Sequence, residues 1–221
     1  MSPPIDVGCH TSCMTTSPIR VLCIDDHALV REGVTALINR QVDMQVIAEA
    51  SSGSDGIEQF RLHQPDVSLV DLRLPDISGI EVIVRILGEK PTARILVVSS
   101  SEGDVDIHRA LSAGAIGYVL KGMPREALLQ AIRRVHRGDK AIPPEVAAAV
   151  AAHLTDEPLT RREIEVLTVV ATGAHNRAIA ATLGIAEDTV KMHIKSIMAK
   201  LGAEDRTAAV TTAIKRGVIH L

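Results

Sequence analysis

The sequence has almost no aromatic side chains: among 221 residues there is no Trp, one Phe (Phe60) and one Tyr (Tyr118). Proteins that grip single-stranded nucleic acid stack bases on aromatic rings, so that mode of binding is excluded. Cysteine is also scarce. The three thiols, Cys9, Cys13 and Cys23, make no disulfide framework. Cys23 lies in the apolar run Val21-Leu22-Cys23-Ile24, which reads as a buried, unreactive thiol. Cys9, His10 and Cys13 are close in sequence, but without a fourth ligand they make a weak metal site. No run approaches about 18 consecutive apolar residues, so no membrane span is expected. Residues 1–18 have Pro, Ser and Thr but no basic stretch leading into an apolar one, so they are not a secretory signal. They read as a disordered leader, with Met14 as an alternative start, and the chain reads as cytosolic. The net charge of −3 provides no overall basic footprint. Any contact with duplex DNA must therefore be local.

What is present is a regular alternation. Short apolar runs at 20–24, 45–50, 67–71, 94–99 and 117–120 are separated or followed by helical patterns at 28–39, 54–62, 79–87, 105–113 and 125–137. Such alternation predicts an α/β domain with a doubly wound, five-stranded parallel sheet. Near-continuous Val, Ile and Leu in Val21–Ile24, Val67–Val70 and Ile95–Val98 fits strands covered on both faces. After Gly138 the pattern changes: 139–158 reads as a linker holding one short helix around Glu145–Leu154. From Leu159 to Leu221 only helical periodicity remains. Thr160 with Glu163 forms a capping-box signature. Asn176 is placed to cap a helix over Arg177–Leu183, and a third helix is expected at 187–201 and a fourth at 207–216. Two helices joined by a short turn containing Gly184 have the form of a helix-turn-helix.

In an open parallel sheet, ligands bind beyond the carboxyl ends of the strands. The first strand ends in Asp25-Asp26, the third in Asp71, the fourth in Ser99, and the fifth runs from Tyr118 to Lys121. Three carboxylates, a hydroxyl and an ammonium should therefore meet at one rim. The carboxylates repel one another unless a cation joins them or some stay protonated. An all-oxygen donor set suits Mg²⁺. One neutralised carboxylate can then attack phosphorus and form an aspartyl phosphate, with the lysine and hydroxyl donating to the incoming oxygens. Each residue alone is ordinary, since an Asp after a strand is usually a turn residue or cap. Their joint occurrence at successive strand ends carries the reading.

Residues 20–137 resemble the receiver domain of bacterial two-component response regulators. The motifs are Val21-Leu22-Cys23-Ile24-Asp25-Asp26-His27, Asp71-Leu72-Arg73-Leu74-Pro75-Asp76-Ile77-Ser78-Gly79, Ile95–Ser101 and Gly117-Tyr118-Val119-Leu120-Lys121. The resemblance implies a flavodoxin-like fold and Asp71 as phosphoryl acceptor. It also implies that Asp25, Asp26 and the Arg73 backbone carbonyl hold Mg²⁺ with Asp71, that Lys121 faces the phosphate, and that Ser99 and Tyr118 form a switch pair. In that mechanism the phosphoryl group draws the Ser99 hydroxyl toward it and the Tyr118 ring turns inward. Ser99 stands where the family often has Thr; the hydroxyl is kept.

Charge is unevenly divided: 15 basic against 19 acidic residues up to His153, and 9 against 8 beyond it. The third C-terminal helix carries Lys191, Lys195 and Lys200, with its acids Glu187 and Asp188 in the first turn. Val190, Ile194, Ile197, Met198 and Leu201 fall on one stripe. A helix apolar on one side and basic on the other fits the major groove of duplex DNA. The runs Leu159–Leu167, Asn176–Ala180 and Thr189–His193 make residues 159–221 similar to the LuxR-type helix-turn-helix. That similarity implies that Lys191, Met192, His193 and Lys195 face base edges and phosphates, that Asn176 and Thr189 contact the DNA backbone, and that the fourth helix pairs protomers. Ala186 stands where the family often has a capping Ser or Thr.

Together the two parts resemble the NarL/FixJ-type response regulators. The expected arrangement is a leader at 1–18, a receiver at 19–138, a linker at 139–158 and a helix-turn-helix domain at 159–221. The expected function is control of transcription. A sensor histidine kinase phosphorylates Asp71, the protein forms a homodimer, and the dimer binds duplex DNA. Two other classes compete with this reading. A haloacid-dehalogenase-type phosphatase needs a second Asp two residues after the nucleophile, where Arg73 stands. A signalling adaptor would bind protein through its helical part, and DNA binding discriminates against it.

Overall fold

The computed structural model describes residues 17–153 and 156–220. The proposed leader, the Cys9/His10/Cys13 group and Met14 lie outside the described residues, apart from the leader's last two positions. Five parallel strands, β1 (Ile19–Ile24), β2 (Met44–Ala50), β3 (Val67–Val70), β4 (Ile95–Ser99) and β5 (Gly117–Leu120), form one sheet in the order β2-β1-β3-β4-β5. They alternate with α1 (Ala28–Asn39), α2 (Gly53–His63), α3 (Gly79–Glu89), α4 (Asp104–Ser112) and α5 (Arg125–His136). This is the doubly wound, flavodoxin-like order, whose direction reverses between β1 and β3.

Strand residues alternate between two cores, as the pleat requires. On β4, Ile95 and Val97 join Ile57 and Phe60 of α2, Val82, Ile83 and Ile86 of α3, and Ile107 of α4. Leu96 and Val98 face the other way, toward Ile38 of α1 and Leu128, Leu129, Ile132 and Val135 of α5. Both aromatic rings are spent inside: Phe60 and Tyr118 are buried.

After α5, the segment read as linker is in part fastened to this sheet. Ala141 bridges to Gly117, accepts from the Tyr118 N–H at 2.9 Å and donates to the Ile116 carbonyl at 2.9 Å. The following helix α6 (Pro144–Ala152) sets Val146 into the first core. The remaining helices, α7 (Arg161–Ala171), α8 (Asn176–Leu183), α9 (Glu187–Leu201) and α10 (Arg206–Lys215), surround a third core built on Val166, Leu167, Ile179, Val190, Ile197 and Ala213. One local expectation is corrected here. Asn176 is the first residue of α8 and His175 is its cap, without a side-chain bond. The Asn176 Oδ1 instead lies 3.4 Å from Arg206 Nη1, a long-range partner that outcompetes the local cap. The fourth helix starts at Arg206, capped by Asp205, whose carboxylate accepts from the Ala208 N–H.

The loop after β3 is drawn tight at Gly79. Its N–H donates to the Leu72 carbonyl at 2.9 Å, and a Cβ on it would stand 2.1 Å from the Asp71 carbonyl oxygen. Asp76 anchors the same loop to α2 by accepting from the N–H groups of Gly53 and Ser54 at 2.8 and 2.9 Å. Gly79→Ala should therefore force the backbone under Asp71 to move and cost about 1–3 kcal/mol. Thermal unfolding measures the loss, and Gly88→Ala, which meets nothing within 4 Å, is the control expected to leave stability intact or raise it.

Candidate metal centre and nucleic-acid interface

The reversal of strand order puts the ends of β1 and β3 beside one crevice, and the acidic residues converge there. Asp25 and Asp71 are buried, at 4% and 3% exposure, whereas Asp26 is open to solvent. Lys121 reaches in from the end of β5, its Nζ 2.7 Å from Asp71 Oδ2 and 2.8 Å from Asp25 Oδ2. Its backbone N–H is tied to the Ser99 carbonyl at 2.9 Å, which fixes the approach. Burial disfavours the Lys121 charge, but the bonds to Asp25 and Asp71 outweigh it and its pKa is raised. Burial pushes the Asp71 carboxyl up from the ordinary range, against the pull of Lys121 and with help from the Asp25 charge. Asp71 Oδ1 is buried and has no hydrogen-bond partner among the described residues.

An unpartnered carboxylate oxygen in a buried site is costly, and its neighbours indicate what satisfies it. One donor atom each from Asp25, Asp26, His27 and Asp71 lie within 4.8 Å of one another. This set, mostly oxygen and partly buried, could hold a hard cation. The loop 25–27 is ordered by the His27 N–H, which donates to Asp25 Oδ1 at 2.9 Å, while His27 Nδ1 lies 2.6 Å from Asp26 Oδ1. The Arg73 side chain is exposed on the adjoining loop.

Ser99 closes β4, fully buried, its Oγ accepting from the Ser101 N–H at 3.1 Å. Tyr118 is likewise fully buried, and its hydroxyl donates to the Ser101 carbonyl at 2.8 Å. Burial raises the phenol pKa well above its ordinary value. The inward ring position, expected to follow a movement of Ser99, is thus the position occupied in this conformation. Cys23 behaves as the apolar run suggested: burial first, and the Asp25 charge second, push its thiol up to about 12, which makes it a poor nucleophile.

The second site is built on α9. The capping box at the start of α7 is complete: the Thr160 N–H donates to Glu163 Oε2 at 2.7 Å, and the Glu163 N–H to Thr160 Oγ1 at 3.2 Å. Glu163 also accepts from Ser196 Oγ at 2.6 Å and Lys200 Nζ at 3.0 Å, so a cap that looked local pins α7 to α9. Lys200 is consequently turned inward, at 12% side-chain exposure, between Glu163 and Glu157. It leaves the basic face on which it was first placed. Val190 and Ile197 are buried, with Ile194, Met198 and Leu201 packed beside them, which is the inward stripe. On the opposite side Lys191, Met192 and Lys195 are exposed, and Thr189 and His193 half-buried. Lys191 is paired with Asp188 at 2.9 Å, a surface contact that is easily exchanged for a phosphate. Ala186 caps α9 without a side-chain bond.

Comparison with known proteins agrees with both halves. Residues 21–133 match the response regulator receiver domain, and residues 157–213 match the LuxR family of bacterial regulatory proteins. This chain is a LuxR-type two-component response regulator. It is 38% identical over 218 residues to an uncharacterized transcriptional regulatory protein of Bacillus subtilis, YxjL, covering 94% of this chain and 100% of that protein. Among solved structures it is similar to the response regulator ChrA of a heme-sensing two-component system, at 36% identity and a TM-score of 0.57, covering 92% of this chain and all of that one. It is also similar to RcsB in a structure of two RcsB dimers bound to two parallel DNAs, at 25% identity and a TM-score of 0.67, covering 90% and 99%. Response regulators of this family couple a receiver to a DNA-binding domain and regulate transcription, and are not catalytic enzymes of the phosphatase kind. No helix among the described residues is long and apolar enough to cross a membrane.

Sequence reasoning saw Glu163 only as a cap, because its partners on α9 lie 33 and 37 residues away. Burial raises its pKa, but the bonds from Ser196, Thr160 and Lys200 outweigh burial and bring it from the ordinary 4.5 to about 2. A depressed folded-state pKa gives stability that is complete above the unfolded value and is lost as pH falls through the folded one. Stability of the helical part should therefore decline between pH 4.5 and about 2. Glu163→Gln should lower stability at neutral pH by about 1–3 kcal/mol and flatten that decline, as read by acid and urea unfolding followed by circular dichroism.

Proposed function

We propose that Asp71 accepts a phosphoryl group from a sensor histidine kinase in the cytoplasm, and that this controls dimerisation and binding to specific duplex DNA. The observation that carries the reading is the buried Asp71 Oδ1, without a hydrogen-bond partner among the described residues, in a crevice where Lys121 already holds the other oxygen. Asp25, Asp26 and Asp71, with the Arg73 carbonyl, would hold Mg²⁺, which supplies positive charge that offsets the carboxylates and the phosphoryl oxygens. In the transfer, Asp71 Oδ1 attacks phosphorus, the P–N bond to the donor imidazole breaks, and its electron pair leaves on the imidazole nitrogen. Lys121 keeps its proton and turns its ammonium to a phosphoryl oxygen. Ser99 donates its hydroxyl to another, and Tyr118 answers the change as the other half of the switch. Both assignments belong to a charge-stabilising site in which the nucleophile is already positioned.

The second half of the reading assigns residues 159–221 to DNA, with 19–138 as the receiver and 139–158 between them. Lys191, Met192, His193 and Lys195 meet base edges and phosphates, and Thr189 and Asn176 the backbone. Two protomers paired through α10, or through α4 and α5, would set two copies of α9 on half-sites one helical turn, or a multiple of it, apart.

Two experiments bear on this. With Mg²⁺ and a small acyl phosphate as donor, the wild-type chain should gain the mass of one phosphoryl group and Asp71→Asn should gain none; labelling of the variant would refute Asp71 as acceptor. On an operator obtained by binding-site selection with phosphorylated protein, Lys191→Ala should weaken binding by about 1–3 kcal/mol if the contact is a bidentate one to a base. An unchanged affinity in a mobility-shift titration would mean that α9 is docked differently.

A further inference from the structure

The end of β1 is held from behind by a side chain that stands outside the acidic crevice. Arg31, in the first turn of α1, directs its guanidinium at the strand end. Its Nη1 donates to the Asp25 carbonyl at 2.6 Å, and its Nε lies 3.3 Å from Glu49 Oε2. Thr35, one turn further along α1, donates its hydroxyl to the other Glu49 oxygen at 3.0 Å. The Asp25 N–H donates to the Ala50 carbonyl at 3.0 Å. The backbone of Asp25 is thereby fastened to β2 twice, once directly and once through Arg31 and Glu49.

Glu49 meets α1 only because β2 is irregular. Met44 and Val46 belong to the core under α1 and α5. Strict alternation from there would send Ala48 to the same side and Glu49 to the opposite one. The register slips instead: Val21 pairs with Val46 but Leu22 with Ala48, and Ile47 is passed over. Ala48 and Ala50 consequently enter the core on the other face, while Glu49, opposite Cys23, is delivered to α1. A bulge beside a site can re-aim one side chain, and here it aims Glu49 at Arg31.

We infer that the Arg31–Glu49 pair positions the cation site: it pins the Asp25 backbone so that the Asp25 and Asp26 carboxylates stay convergent on Asp71 before a cation binds. The inference rests on the reading of that crevice as a Mg²⁺ site. The physical need is the repulsion among three carboxylates, which Lys121 compensates only in part. That repulsion is most easily relieved by an outward swing of the turn 25–27, whose Asp26 and His27 are exposed. The bond from the His27 N–H to Asp25 Oδ1 lies within the turn and moves with it, so the restraint has to come from another element. A turn that had swung out would have to be drawn back on binding, which lowers affinity for the cation. Arg31 and Glu49 carry opposite charges, so the pair adds little net field at the crevice and acts through geometry.

The charge-balanced double variant Arg31→Met with Glu49→Gln tests geometry alone. Binding of Mg²⁺ to the full chain is measured by isothermal titration calorimetry without a phosphodonor, and phosphoryl uptake from an acyl phosphate is then followed across Mg²⁺ concentrations. The double variant should bind Mg²⁺ about tenfold more weakly. Its uptake should need correspondingly more Mg²⁺ to reach half its maximal rate, with the rate at saturating Mg²⁺ kept. Arg133→Ala is the control. Arg133 grips Asp43 at 2.7 and 3.0 Å before the other end of β2, so its loss should lower Tm without moving Mg²⁺ affinity. Unchanged Mg²⁺ affinity in the double variant overturns the positioning role and leaves the metal site standing. An equal loss in Arg133→Ala overturns it too, because any loosening of the sheet would then suffice. Arg31→Met alone decides the matter if the double variant does not fold: its extra net negative charge would by itself strengthen Mg²⁺ binding, whereas positioning requires weakening. No Mg²⁺ binding by the wild-type chain overturns the metal reading of the crevice, and the inference with it.

Discussion

The ammonium of Lys121 between Asp25 and Asp71 is the contact on which the receiver's chemistry depends. Two buried carboxylates beside a third at a strand-order reversal repel one another, and one lysine 2.7 and 2.8 Å away compensates for only part of that charge. Asp71 Oδ1 is left without a hydrogen-bond partner among the described residues. The site is therefore built with a specific electrostatic shortfall, and a cation and a phosphoryl group together are what such a shortfall accommodates. The surrounding structure serves to keep it there. Gly79 and Asp76 brace the loop beneath Asp71, and the Lys121 backbone is tied to β4.

Much of this arrangement was legible in the chain itself. Strands β1, β3 and β4 are largely buried runs rich in Val, Ile and Leu, and the alternation of short apolar runs with helical patterns placed the half-exposed β2 and the short β5 beside them. A parallel α/β sheet then carries strand-end residues to one rim without further information. Strand order and strand ends alone therefore group Asp25, Asp71 and Lys121. The inward stripe of α9 was legible for a similar reason, since helical spacing alone places Val190 and Ile197 on one face.

What escaped the sequence was long-range and polar. Arg216 ended a helix in the linear reading, yet its partner Asp104 lies 112 residues away. Nothing in either neighbourhood announces the other. Lys200 counted as a basic residue of α9 until Glu163 and Glu157 claimed it. Asn176 had a good local reason to cap α8, and Arg206 offered a distant alternative. In each case side-chain chemistry was read correctly, and the partner was set by packing between elements that periodicity does not join.

The short bridge of Ala141 to Gly117 has a consequence beyond the domain junction. A parallel sheet ends in two open edges, and each is a template on which another chain can add a strand. Here the β5 edge is partly occupied by the protein's own backbone, so the two edges are unequal. The exposed template is β2, and β1 slips register against it between Val21 and Leu22. A bulge increases local twist and bends the pairing away from flatness. The receiver thus discourages strand-wise aggregation by different means on its two sides, capping one edge and distorting the other.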